Sequence, residues 1–120
     1  MVSLLWACLG PVTSVSAVAG AADVTHLVLW HASGASSTAT VTLSAPQAAS
    51  GDSLFVWGEA GRSVMPARPF DPVEALRTAA AELAANAAAG RLTHECDVRF
   101  GREVVCVLAT AEAQLAPRST

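Results

Sequence analysis

The chain has 120 residues, of which 52% are hydrophobic and 14% charged, with a formal net charge of −3. That length holds one domain with one core, and so apolar a composition excludes intrinsic disorder and leaves apolar surface for a partner. Lysine is absent, which removes Schiff-base, pyridoxal-phosphate and phosphate-loop chemistry, and the scattered arginines form no basic cluster of the kind that nucleic acid requires.

Residues 2–22 are apolar and uncharged and read in two ways. Leu4, Leu5, Ala7, Cys8 and Leu9 fit a short helix stopped by Gly10-Pro11. The rival reading is a secretory signal peptide ending near Ala17-Val18-Ala19. Against the rival, no basic residue precedes the apolar run, and Thr13, Ser14 and Ser16 interrupt it. The segment is too polar to span a bilayer.

VTHLVLWH over 24–31 is β-branched and aromatic and predicts a first strand, closed by the Gly34–Ser37 cluster. Over 38–45, Ala39, Val41, Leu43 and Ala45 alternate with Thr38, Thr40, Thr42 and Ser44, a half-buried second strand. SLFVW over 53–57 predicts a third strand, covered on both faces and ended by Gly58 and Gly61.

A helix over 72–89 follows, with Asp71 as cap, Pro72 at the first position, Glu74 completing a capping box and Gly90 as stop. Its stripe of Val73, Leu76, Ala80, Leu83 and Ala87 is expected to bury against the sheet. Leu92, His94, Cys96, Val98 and Phe100 alternate with polar residues, predicting a fourth strand, and Gly101-Arg102 predicts a tight turn into a fifth over 104–109. The expected fold is a single α+β domain over 1–120: an antiparallel sheet in the order (α)-β-β-β-α-β-β, with one long amphipathic helix packed on it.

No catalytic constellation stands out, and the chain reads as a binding protein with no metal, cofactor or enzymatic activity. His94 and Cys96, with His26, His31 and Cys106, invite a zinc site, but their spacing matches no finger, and the expected hairpin sends Cys96 and Cys106 to opposite sheet faces. The same geometry disfavours a disulfide between them. Three cysteines without a C-x-x-C pair suggest buried, reduced thiols and a cytoplasmic protein. Glu95 and Asp97 share a strand face with Arg99 and read as solvated, and Gly34-Ala35-Ser36-Ser37 lacks the elbow of a serine hydrolase. Trp30 and Trp57 read as core or interface anchors.

The leucine-bearing start, the strand VTLSA followed by LFVWGEAG, a helix entered through PFDPVEAL and a final DVRFGREVVCVL resemble the class I type III secretion chaperones, the Tir-chaperone-like family. The resemblance covers most of the chain and implies a small acidic cytoplasmic bacterial homodimer. Such a protein binds the N-terminal segment of a secreted effector and keeps it secretion-competent without ATP, cofactor, nucleic acid or membrane. On that reading the client contacts fall on Leu4, Leu5, Leu27, Leu29, Val41, Leu43, Leu54 and Val56, and the dimer contacts on Leu76, Leu83, Val105 and Val107. The alternative is a secreted or envelope-associated small α+β protein whose first ~20 residues are cleaved.

Overall fold

The computed structural model describes residues 1–47, 51, 53–65, 71–91, 93–94 and 97–115. It is α+β, with helix α1 (Val2–Leu9), strands β1 (Val12–Ala19), β2 (Thr25–His31), β3 (Ser36–Val41), β4 (Phe55–Gly58) and β5 (Gly61–Val64), and helices α2 (Pro72–Ala88) and α3 (Val98–Leu115). Two compact units result: Met1–Ser44 with Glu95–Thr120, and Ala45–His94.

The first unit is an antiparallel sheet in the order β1-β2-β3 with α3 packed against β1. Side chains alternate along a strand. Leu27 and Leu29 of β2 therefore share a face with their partners Ala17 and Val15 on β1 and Ala39 and Ser37 on β3. This is the covered face, where Ala17, Leu27, Leu29 and Ala39 are buried. From α3 it meets the stripe Phe100, Val104, Val107, Ala111 and Leu115, in which Ala111 is buried and the others half-buried. Val2 and Leu5 of α1 are buried, and the Trp6 and Phe100 rings meet edge to face at 6.0 Å, tying α1 to α3.

His31 is buried on the same face. Its Nδ1 lies 2.8 Å from the Gly10 carbonyl and its Nε2 2.9 Å from the Ser37 hydroxyl. A carbonyl can only accept, so Nδ1 donates to Gly10, while Nε2 shares a hydrogen bond with the Ser37 hydroxyl. The ring thus joins the end of α1 to β3 with both nitrogens satisfied.

The expected class, an antiparallel sheet carrying a long helix, is present, but its helix is α3 and not the one at 72–88. The expected strand over 92–100, the turn at Gly101-Arg102 and the strand over 104–109 are corrected: Val98–Leu115 is one helix. Asp97 decides this locally, since its carboxylate accepts from the backbone N–H groups of Arg99 (2.8 Å) and Phe100 (3.1 Å) as an N-cap. The stripe from Phe100 to Leu115 then keeps helical period over four turns, outweighing the cost of Gly101 within the helix. Leu92, Glu95 and Cys96 of the expected strand lie outside the described residues. β1 and β5 lie outside the expected strands.

In the second unit β4 and β5 form a hairpin closed by Glu59-Ala60 between the paired Gly58 and Gly61, and Gly61 takes a φ of 115° that other residues resist. Helix α2 begins at the expected Asp71 cap: its carboxylate accepts from the N–H groups of Val73 (2.9 Å) and Glu74 (3.2 Å), with Pro72 at the first turn. The Glu74 carboxylate lies 3.4 Å from the Arg77 guanidinium. At the other end the Gly90 N–H donates to the Ala87 carbonyl and the Arg91 N–H to that of Asn86, a Schellman stop in which Gly90 has φ 69°. Two expectations are corrected here. The stripe of α2 is not buried, since the helix holds no buried residue, and β4 is not covered on both faces.

Candidate functional site

Among its described residues, the second unit exposes most of the large apolar side chains. On the hairpin, Phe55 and Trp57 share one face with their cross-strand partners Val64 and Arg62. The two aromatic rings stack at 6.0 Å, and the Arg62 guanidinium sits 4.5 Å above the Phe55 ring. Trp57 is nevertheless 71% exposed, and Phe55 and Val64 are exposed beside it. On α2, Val73, Leu76 and Leu83 fall on one stripe, with Leu76 71% and Leu83 48% exposed. Leu54 is the buried hydrophobic residue of this unit among those described. Two-stranded hairpins and lone amphipathic helices are marginal in water without an apolar cover.

The first unit carries a different surface, set by its strand edges. Gln114 of α3 lies along the outer edge of β1: the Ala17 N–H donates to its Oε1 (2.8 Å) and its Nε2 donates to the Val15 carbonyl (2.9 Å). A side-chain amide thus completes a ladder rung, and α3 covers this edge. Alongside, Val12, Val15, Glu103, Cys106, Val107 and Thr110 line a shallow groove of about 170 Å³. Cys106 there is a free, exposed thiol, as is Cys8, which corrects the expectation of buried cysteines; Cys96 lies outside the described residues.

Backbone groups alternate sides along an antiparallel strand. Since Val15 and Ala17 point away from β2, their partners Leu29 and Leu27 point toward β3, and Ser37, Ala39 and Val41 point back to them. The N–H and C=O groups of Ser36, Thr38 and Thr40 therefore face outward on the free edge of β3, and these residues are exposed. The edge ends where Asp23 grips the chain. Its carboxylate accepts from the hydroxyls of Thr42 and Ser44 and from the Leu43 N–H. Those bonds, Ser44 foremost, hold its carboxyl at about 2.

The residues expected to touch a client separate into several environments. Leu5, Leu27 and Leu29 are core side chains, with Leu29 fully buried, so they offer a partner no surface. Leu4 and Val41 are half-buried, Leu43 is wholly exposed, and in the other unit Leu54 is buried and Val56 half-buried. Of the expected dimer residues, Leu76 and Leu83 do share an exposed face of α2. Val105 and Val107 do not share a strand face: both lie on α3, Val105 exposed and Val107 half-buried against the groove. The sequence reading missed Phe55 and Arg62 as neighbours because it ended the chain's third strand without its hairpin partner.

Compared with protein-family models, with curated proteins and with solved structures, the chain matches none.

Among the described residues no three His, Cys, Asp or Glu side chains come together as a metal-binding group. His94 instead places its Nε2 3.1 Å from the Glu82 carboxylate. No helix among the described residues is long and apolar enough to cross a membrane.

Proposed function

We propose that this chain is a protein-binding module without catalytic machinery, capturing an apolar segment of a partner on the exposed faces of its second unit. The observation that carries the proposal is the exposure of Phe55, Trp57, Val64, Leu76 and Leu83 in a unit where Leu54 is the buried hydrophobic among the described residues. A partner that covers α2 and the hairpin supplies the apolar burial that both elements lack, at roughly 25 cal/mol per Å² removed from water.

The resemblance to the class I type III secretion chaperones supplies the class of partner: the N-terminal segment of a secreted effector, held by a cytoplasmic homodimer without ATP or cofactor. The order of elements departs from the one behind that resemblance, because a hairpin precedes α2 and a helix follows it. The proposal therefore stands on the exposed faces and takes only the partner class from the resemblance. Against cleavage of a leader near Ala19 stands the placement of 2–19, which form α1 and the strand β1 of the sheet.

The test is co-expression with the product of the neighbouring gene, followed by the mass of the affinity-purified complex from light scattering. The wild-type chain is expected to carry the partner. Leu76→Asp with Leu83→Asp should lose it while keeping a native circular dichroism spectrum, since neither side chain is buried. Retention of the partner by that double variant would remove α2 from the site.

A further inference from the structure

We propose that the free edge of β3 pairs with the same edge of a second copy of this chain, joining two three-stranded sheets into one of six strands about a two-fold axis at Thr38. Natural sheets protect their edges with charge, proline, bulges or a covering element. This sheet protects one edge, where Gln114 and α3 cover β1, whereas among the described residues no strand pairs with the other edge, and its Ser36, Thr38 and Thr40 are exposed. That edge reads Ser36-Ser37-Thr38-Ala39-Thr40-Val41, with no charge, no proline and no bulge.

The edge is complementary to itself. With the axis at Thr38, the outward backbone groups of Thr38 meet those of Thr38 in the second copy, and Ser36 meets Thr40 on either side. Every outward N–H then faces a carbonyl. The three side chains involved are small hydroxyls on the open face of the sheet, a combination that favours cross-strand pairing, and no like charges meet across the axis. The segment also has the right limits. Thr38 lies midway between Ala35, whose carbonyl accepts from His31, and Val41, after which Asp23 takes the chain.

An extended segment of another protein offers the same backbone groups, but a second copy adds the equal length and the hydroxyl-to-hydroxyl pairing that the two-fold axis supplies. The inference gives a surface to the homodimer named above and rests on that reading only there. A dimer that captures no client sinks the client proposal alone, and client capture by a monomer sinks this one alone.

Two measurements test it on the full chain. Light scattering should give twice the chain mass for the wild type and the monomer mass for Thr38→Pro with an unchanged far-ultraviolet spectrum. Proline is tolerated there because the Thr38 N–H makes no bond within the sheet. The second keeps the proposal open to refutation should that variant unfold. In a background of Cys8→Ser, Cys96→Ser and Cys106→Ser, Thr38→Cys should form a reducible dimer under mild oxidation. Residues opposed in a hydrogen-bonded pair lie about 5.5 Å apart between Cα atoms, within disulfide reach. Thr40→Cys, set opposite Ser36 of the second copy, should not cross-link. A monomeric wild type, a dimer indifferent to Thr38→Pro in a folded variant, or cross-linking of Thr40→Cys in place of Thr38→Cys would overturn it.

Discussion

Asp23 is the residue whose local chemistry is most sharply defined. It stands between β1 and β2, yet its carboxylate collects two hydroxyls and one N–H from Thr42–Ser44, so it fixes where β3 ends. Hydrogen bonds to the ionised form lower its carboxyl from 3.8 to about 2. A carboxyl whose pKa is depressed on folding contributes stability above its unfolded value, and that contribution is lost as pH falls through the folded value. The clasp is therefore complete above about pH 4 and released between there and pH 2. An NMR titration of the Asp23 carboxyl should give a midpoint near 2, with exchange of the Leu43 amide quickening over the same range; a midpoint in the ordinary carboxylate range contradicts the clasp. Asp23→Asn should quicken that amide at neutral pH.

At the scale of elements, the two helices differ in what holds them. α3 has a tertiary stripe and the Gln114 rung, while α2 has its caps. Gln114→Ala strips the β1 edge of a donor and an acceptor at once, and should cost about 2 kcal/mol of the first unit's stability, from two hydrogen bonds at a net value of about 1 kcal/mol each. Denaturant unfolding checks this; an unchanged midpoint would make the rung incidental. The caps of α2, the stop of α1 at Gly10-Pro11 and the strand VTHLVLWH were legible in the sequence because each depends on neighbours in the chain. Helix α3 is ambiguous in the sequence for a physical reason: Val98 and Phe100 fit both a strand and a helix, and the two-residue alternation before them competes with the longer stripe through Val104, Val107 and Ala111. β1 was obscured by the resemblance of its apolar run to a leader, although Val12, Thr13, Val15 and Val18 are strand formers. The candidate surfaces were legible only in part. Leu76 and Leu83 were found from helical spacing, whereas the outward groups of Ser36, Thr38 and Thr40 depend on which way β1 and β2 turn their backbone, and the hold of Gln114 on Val15 and Ala17 spans about a hundred positions of sequence.

At the scale of the whole molecule, the chain divides its apolar residues unequally. The first unit uses Leu5, Ala17, Leu27, Leu29, Ala39 and Ala111 to make a core, and the second leaves Trp57, Leu76 and Leu83 in water. Local stability follows burial, so the units should open at different rates. The most direct test is amide hydrogen exchange of the chain alone and in complex with its partner. Slow exchange is expected in β2 under both conditions, and fast exchange in β4, β5 and α2 that slows sharply once the partner is bound. Protection of α2 in the isolated chain equal to that of β2, unchanged by the partner, would contradict that expectation.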